Sequence, residues 1–63
     1  MSNYYVYYPL DKNGEELSSV GMFDTLNECE ALAKSEKNCI TCRIERRTNE
    51  GWEFIKFINP RKE

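Results

Sequence analysis

Two cysteines separated by two residues, Cys39 and Cys42, have the spacing of a redox-active or zinc-binding pair. A redox pair of this spacing normally opens a helix, whose N-terminus lowers the thiol pKa. Here the pair opens a predicted strand, in which residues three apart point to opposite faces. A zinc site would need a fourth ligand beyond these two and Cys29. We therefore expect Cys29 and Cys42 to be core residues and Cys39 to lie in a loop, with no metal, no cofactor and no redox activity.

Other residue patterns that support catalysis are also missing from the sequence. Without histidine, the chain lacks the commonest general base and the Cys–His nucleophile pair. Its carboxylates are numerous but form no recognisable acid–base constellation, and its isolated glycines form no phosphate-binding loop. We therefore predict that the protein is not an enzyme.

Length and charge limit the remaining functions. The chain has 63 residues and a net charge of −2, which predicts one domain over residues 1–63 and argues against a general polyanion binder. A domain this small buries only ~60% of its unfolded surface, so a partner or a homodimer would add stability. The odd count of three cysteines is unlike a secreted disulfide scaffold. Without an apolar leader or the ~20-residue apolar run of a membrane span, we expect a cytoplasmic protein.

Turn signals and apolar periodicity predict the element order β-β-α-β-β. Residues 3–10 and 15–23 are the first two strands, with Asn13 and Gly14 in a tight turn between them. Thr25 and Glu28 match a capping box for a helix that extends to Lys37. Residues 39–47 and 52–58 form a second hairpin, and residues 58–63 a frayed tail. The predicted fold class is α+β, a single small domain with a four-stranded antiparallel sheet and one helix on one face.

Alternation along each strand divides the side chains between a helix-covered face and an open face. One helix cannot cover both faces, so the second face meets water or a partner. The residues assigned to the core are Tyr4, Val6, Tyr8, Leu26, Cys29, Leu32, Ala33, Ile40, Cys42, Ile44, Ile55 and Phe57. The residues assigned to the open face as the candidate binding surface are Tyr5, Tyr7, Arg43, Arg47, Trp52, Phe54 and Lys56, with Ile58 beside them.

Three interpretations of this open face compete. In the first, the face is purely structural, and its aromatic and arginine side chains stabilise a thin sheet through cross-strand contacts. The same residue types dominate the hot spots of protein interfaces. They also form stacking platforms for single-stranded nucleic acid, although the acidic composition and the lack of an RNA-binding signature disfavour that interpretation.

Three features of the chain carry a family resemblance: the tyrosine-rich opening strand, the stretch FDTLNECEA at residues 23–31 that enters a single helix, and a closing hairpin with Gly51 and Trp52. In these features the chain resembles small accessory proteins of bacteriophages, including anti-CRISPR proteins and inhibitors of host polymerase. The resemblance implies inhibition by binding, through occupation of a nucleic-acid site or block of a subunit contact.

The predicted function is therefore that of a phage-encoded inhibitor that binds a bacterial defence complex, either a host protein or a ribonucleoprotein, in the host cytoplasm. The alternatives are a nucleic-acid-binding accessory protein that uses the aromatic–basic face, and an inhibitor of host transcription.

Overall fold

A computed structural model describes residues 3–60, which form one antiparallel sheet and one helix. The strands are β1 (Tyr4–Leu10), β2 (Val20–Phe23), β3 (Thr41–Thr48) and β4 (Gly51–Ile58), and the helix α1 is Leu26–Lys34. The strand order in the sheet is β2-β1-β3-β4, so β1 and β3 are central and β2 and β4 are edges. The predicted α+β class with four antiparallel strands and a single helix is confirmed.

The first hairpin has the predicted turn but a much shorter second strand. Gly14 adopts a φ of +82°, and the Asp11 carboxylate accepts hydrogen bonds from the backbone N–H groups of Asn13 and Glu15. Such a positive φ carries little cost for glycine, which has no Cβ. Residues 15–19 do not form a strand, apart from an isolated bridge between Leu10 and Glu16.

The helix begins where the capping signal placed it and ends earlier than predicted. The Glu28 N–H donates to Thr25 Oγ1 at 3.2 Å, which satisfies one of the free donors of the first turn. The helix ends at Lys34 rather than Lys37, and Ser35 occupies its C-terminal cap. Residues 35–40 then form a loop that leads into β3.

The core lies between α1 and the sheet and contains all three cysteines. Its buried members are Tyr7, Cys29, Ala33, Cys39, Cys42, Ile44 and Ile58. Leu32 and Ile40 are wrongly assigned to the core from the sequence, since Leu32 is 48% exposed and Ile40 is 53% exposed. Ile40 lies outside β3, which starts at Thr41, so the alternation that placed it inward does not apply to it.

The predicted frayed tail begins too early. Ile58 belongs to β4 and is only 8% exposed, and Pro60 is also buried. Residues 61–63, the remainder of the predicted tail, lie outside the described residues. The C-terminal strand therefore contributes to the core through its last residue.

Irregularities in the strand pairing decide which side chains share a face. Between β3 and β4 the pairing runs Ile44 to Lys56 and then Glu45 to Phe54, so Ile55 is an extra residue on β4. Such a bulge interrupts the two-residue alternation of the strand. A second irregularity between β1 and β2 leaves Met22 as the extra residue, with a φ of +80°.

Candidate functional site

The open face of the sheet, on the side opposite α1, is built from three cross-strand rows. Residues that lie directly opposite each other in antiparallel strands have their side chains on the same face. The rows from β1 through β3 to β4 are Tyr8–Arg43–Phe57, Val6–Glu45–Phe54 and Tyr4–Arg47–Trp52. We call the aromatic and arginine residues of these rows the aromatic–basic face.

Two arginine side chains of β3, Arg47 near the β3–β4 turn and Arg43 near the other end of the strand, lie over aromatic rings. The guanidinium carbon of Arg47 is 4.4 Å from the ring centre of Trp52, and that of Arg43 is 4.9 Å from the ring centre of Tyr8. The Tyr8 and Trp52 rings meet edge to face with centres 6.3 Å apart. Each arginine therefore covers part of one ring, a contact favoured by the ring quadrupole.

Two phenylalanines on the edge strand β4 form the most exposed apolar part of the face. The ring centres of Phe54 and Phe57 are 5.1 Å apart, and the two side chains are 53% and 56% exposed. They point to the same side although they are three residues apart, because the extra residue Ile55 lies between them. With Trp52, which is 48% exposed, they form an apolar stripe along β4.

Charge on the face is largely balanced by neighbouring carboxylates. Arg43 forms ion pairs with Glu16, from the segment that precedes β2, and with Glu45 at 2.9 Å. The hydrogen bond to Glu16 is the main reason that the pKa of Arg43 is raised. Within residues 3–60, Arg47 makes no ion pair and contacts only the Trp52 ring among the aromatic side chains.

Four of the seven predicted surface residues lie together on this face. They are Arg43, Arg47, Trp52 and Phe54. The other three, Tyr5, Tyr7 and Lys56, are wrongly placed by the sequence and lie on the helix side of the sheet.

The two tyrosines lie on the helix side because the register between β1 and β3 places Tyr7 opposite the core residue Ile44. Tyr7 is 3% exposed, and its ring stacks on Phe23 with centres 5.9 Å apart. Tyr5 packs against the same core. The alternating residues of the same strand, Tyr4, Val6 and Tyr8, were predicted to point inward and lie on the open face instead.

Lys56 lies on the helix side because the bulge reverses the alternation at that point of β4. Its ammonium group donates to the Glu30 carboxylate of α1 at 2.8 Å. The same reversal moves Phe57, which the sequence assigned to the core, onto the open face and moves Ile58 into the core. Ile55 packs against the core, as predicted.

Sequence reasoning therefore missed Tyr4, Tyr8 and Phe57 as members of the face. Tyr8 carried no local signal that distinguishes it from Tyr7, since both alternating sets of β1 are rich in tyrosine. For Phe57, the apolar pairs at 54–55 and 57–58, on either side of Lys56, gave no strict alternation, which is one pattern that a bulged strand produces.

The cysteines also differ from the sequence expectation in one respect. All three are buried, and Cys39 lies in the loop, as predicted. However, the sulfur atoms of Cys39 and Cys42 are 3.7 Å apart, whereas opposite strand faces would have separated them. Because Cys39 precedes β3, its side chain turns toward the core and meets Cys42 there.

Two further findings concern metal binding and membrane spanning. Among residues 3–60, no three His, Cys, Asp or Glu side chains are grouped so that they could hold a metal ion. The one helix in the same region is too short and too polar to cross a membrane.

Comparison of the chain with protein-family models, with curated proteins and with solved structures gave no match. The resemblance to phage accessory proteins therefore stays a prediction.

Proposed function

We propose that this protein binds another protein through its aromatic–basic face and acts as an inhibitor by covering the surface that it binds. The observation that carries the proposal is the apolar stripe of Trp52, Phe54 and Phe57, each of which is about half exposed on one edge strand. Contiguous exposed apolar patches on small soluble domains mark interaction sites more often than scattered single residues do.

The composition of the face also favours a protein partner. Tyrosine, tryptophan and arginine are the residue types that contribute most to binding hot spots. Rigid aromatic rings lose little conformational entropy when they are buried, and here the Arg43 and Arg47 contacts already hold two of the rings in place. The inhibitory role, against a bacterial defence complex of the host cytoplasm, follows from the phage resemblance and belongs to this proposal.

Nucleic-acid binding is the second candidate function, and one observation favours it: Arg47 and Trp52 together offer a cation and a stacking ring. Two others argue against it. Glu45 lies in the middle row of the face, and Glu16 and Glu45 neutralise Arg43. A backbone of phosphates would meet these carboxylates, so the face is less suited to a polyanion than its arginine count suggests.

The partner is sought by capture from bacterial lysate on immobilised protein, followed by mass spectrometry. The test variant is the double change Phe54→Ser and Phe57→Ser, which removes the two most exposed residues of the apolar stripe without opening the core. The matched control is Leu32→Ser, which removes a side chain of similar exposure from the helix on the opposite side of the molecule. We expect the double variant to lose the captured protein and the control to retain it.

Equal retention by both variants, with circular dichroism showing that both are folded, would contradict the proposed surface. The nucleic-acid alternative is tested by fluorescence anisotropy with short single-stranded DNA and RNA. We expect no binding at physiological salt. Micromolar binding that weakens steeply with salt and is lost in Arg47→Ala would replace the protein interface with a nucleic-acid platform.

A further inference from the structure

The sulfur atoms of Cys39 and Cys42 are close enough for a small shift to bring them to disulfide-bond distance. Their sulfur atoms are 3.7 Å apart in the present reduced state. A disulfide requires a separation of about 2.05 Å, so closure needs a shift of less than roughly 2 Å. Cys39 lies in the loop before β3 and not in the strand ladder, so a shift of its side chain breaks no sheet pairing.

One of the two thiols lies beside a depression that opens to solvent. Cys39 forms part of the wall of a cavity of about 370 Å³, together with Asp11, Lys12, Asn13, Lys37, Asn38 and Ile40. The Asp11 carboxylate accepts hydrogen bonds from the N–H groups of Asn13 and Glu15 and offsets the charge of one of the two lysines. The lining therefore keeps a net positive charge, which favours an anionic ligand. Oxidised glutathione is a small disulfide that carries a net negative charge, and it therefore matches both the thiol and the charge of this cavity.

We propose that Cys39 and Cys42 form a thiol–disulfide exchange site, which a small anionic disulfide of the glutathione class converts to an intramolecular disulfide. This site is separate from the aromatic–basic face: it lies at the opposite end of β3 from Arg47 and on the helix side of the sheet. Its activity does not depend on the function proposed for that face.

The exchange proceeds in two balanced steps. In the first, the Cys39 thiol loses its proton and its sulfur attacks one sulfur of glutathione disulfide, so one glutathione leaves as a thiolate and takes up a proton. In the second, the Cys42 thiol loses its proton and its sulfur attacks the Cys39 sulfur of the mixed disulfide, so the second glutathione leaves as a thiolate and takes up a proton. Two protein thiols are oxidised, and one glutathione disulfide is reduced to two glutathione molecules.

The environments of the two thiols determine which of them attacks first. Cys42 is fully buried, its sulfur lies 3.6 Å from the Ala33 carbonyl oxygen, and burial raises its pKa to about 12. Because the thiolate is the nucleophile, Cys42 is a poor first attacker. Cys39 is 5% exposed and forms part of the cavity wall, whereas Cys42 is completely buried, so Cys39 is the thiol that an incoming disulfide reaches first. Cys29, on the buried face of α1, makes no comparable sulfur contact among the described residues.

Trypsin digestion provides a direct readout for this site. Cleavage after Lys37 and Arg43 releases the fragment of residues 38–43, which contains Cys39 and Cys42 and excludes Cys29. The native protein is equilibrated with graded ratios of oxidised to reduced glutathione, trapped with an alkylating reagent, and digested. We expect this fragment to be lighter than its reduced form by the mass of two hydrogens, because its two thiols have formed a disulfide, and to carry no alkyl label.

A synthetic peptide of residues 38–43, equilibrated in the same glutathione buffers, separates the effect of the fold from simple proximity along the chain. We expect the folded protein to close the disulfide with an equilibrium constant at least about tenfold larger than the peptide does. A doubly alkylated fragment at every ratio would overturn the proposal. So would a stable glutathione adduct on Cys39, a bond to the Cys29 fragment, or an equilibrium constant no larger than that of the peptide.

Discussion

The Tyr7 hydroxyl donates a 2.6 Å hydrogen bond to the Glu36 carboxylate and so joins the central strand β1 to the loop that follows α1. The two residues are 29 positions apart in the chain. Burial and the Glu36 carboxylate both raise the pKa of the Tyr7 phenol, so the hydroxyl remains a donor throughout the neutral range. This contact links the loop after α1 to the helix side of the sheet.

Replacing Tyr7 with phenylalanine removes this hydrogen bond and leaves the ring in place. Hydrogen bonds to charged groups contribute about 1.5–3 kcal/mol, so we expect the free energy of unfolding of Tyr7→Phe to fall by about that amount in urea titrations. Tyr5→Phe is the matched control, since Tyr5 lies on the same face of the same strand and its hydroxyl makes no hydrogen bond within residues 3–60. Equal losses in the two variants would show that the Glu36 contact contributes nothing.

The core and the open face are expected to respond differently to truncation. Ile44 is completely buried, and Ile44→Ala should cost about 2–5 kcal/mol of stability through lost burial and a cavity. Phe57 is 56% exposed, and Phe57→Ala should cost less, about 1 kcal/mol, although the side chain removed is larger. Thermal melts of both variants measure the difference. A larger loss for Phe57→Ala would place that ring in the core.

Gly21 is required by the close approach of β2 to β1. A Cβ atom at this position would lie 2.7 Å from Val6 Cβ and closer still to Val6 Cγ1, which is too short for carbon atoms that are not bonded to each other. We expect Gly21→Ala to destabilise the fold by about 1–3 kcal/mol, measured by urea unfolding. Val6→Gly removes both side-chain atoms from the clash, so the two changes together should cost less than the sum of their separate costs. Strict additivity would rule out this contact as the cause.

Stability is expected to decline in alkaline solution, because burial raises the pKa of two core thiols above their ordinary value of 9.0. The pKa of Cys29 rises to about 11 and that of Cys42 to about 12. Above pH 9.0 the unfolded chain releases these protons while the folded chain retains them. Stability is therefore full below that pH and falls as the pH rises toward the folded values.

Urea titrations in the presence of a reductant, from neutral pH upward, measure this dependence. Cys29→Ala removes one of the proton-linked groups, so its stability should fall less steeply with pH than that of the parent protein. An identical slope in the two proteins would show that the Cys29 thiol does not titrate differently in the folded and unfolded states.

Features that depend on residues close together in the chain could be predicted from the sequence alone. The order of elements, the positive φ of Gly14 and the helix cap at Thr25 were all predicted, since turn and cap geometry are set within a few residues. The inward direction of Cys42 and Ile44 also followed, because polar residues alternate with them along β3.

The tertiary structure decided which residues form the candidate site. In β1 both alternating sets are aromatic or apolar, so the pattern fits either face, and only pairing with Ile44 and contact with Glu36 turn Tyr7 inward. In β4 the extra residue Ile55 reverses the alternation, so Phe57 joins the open face. The alternation of side chains along a strand indicates which residues share a face. Partners distant in the chain determine whether that face is covered.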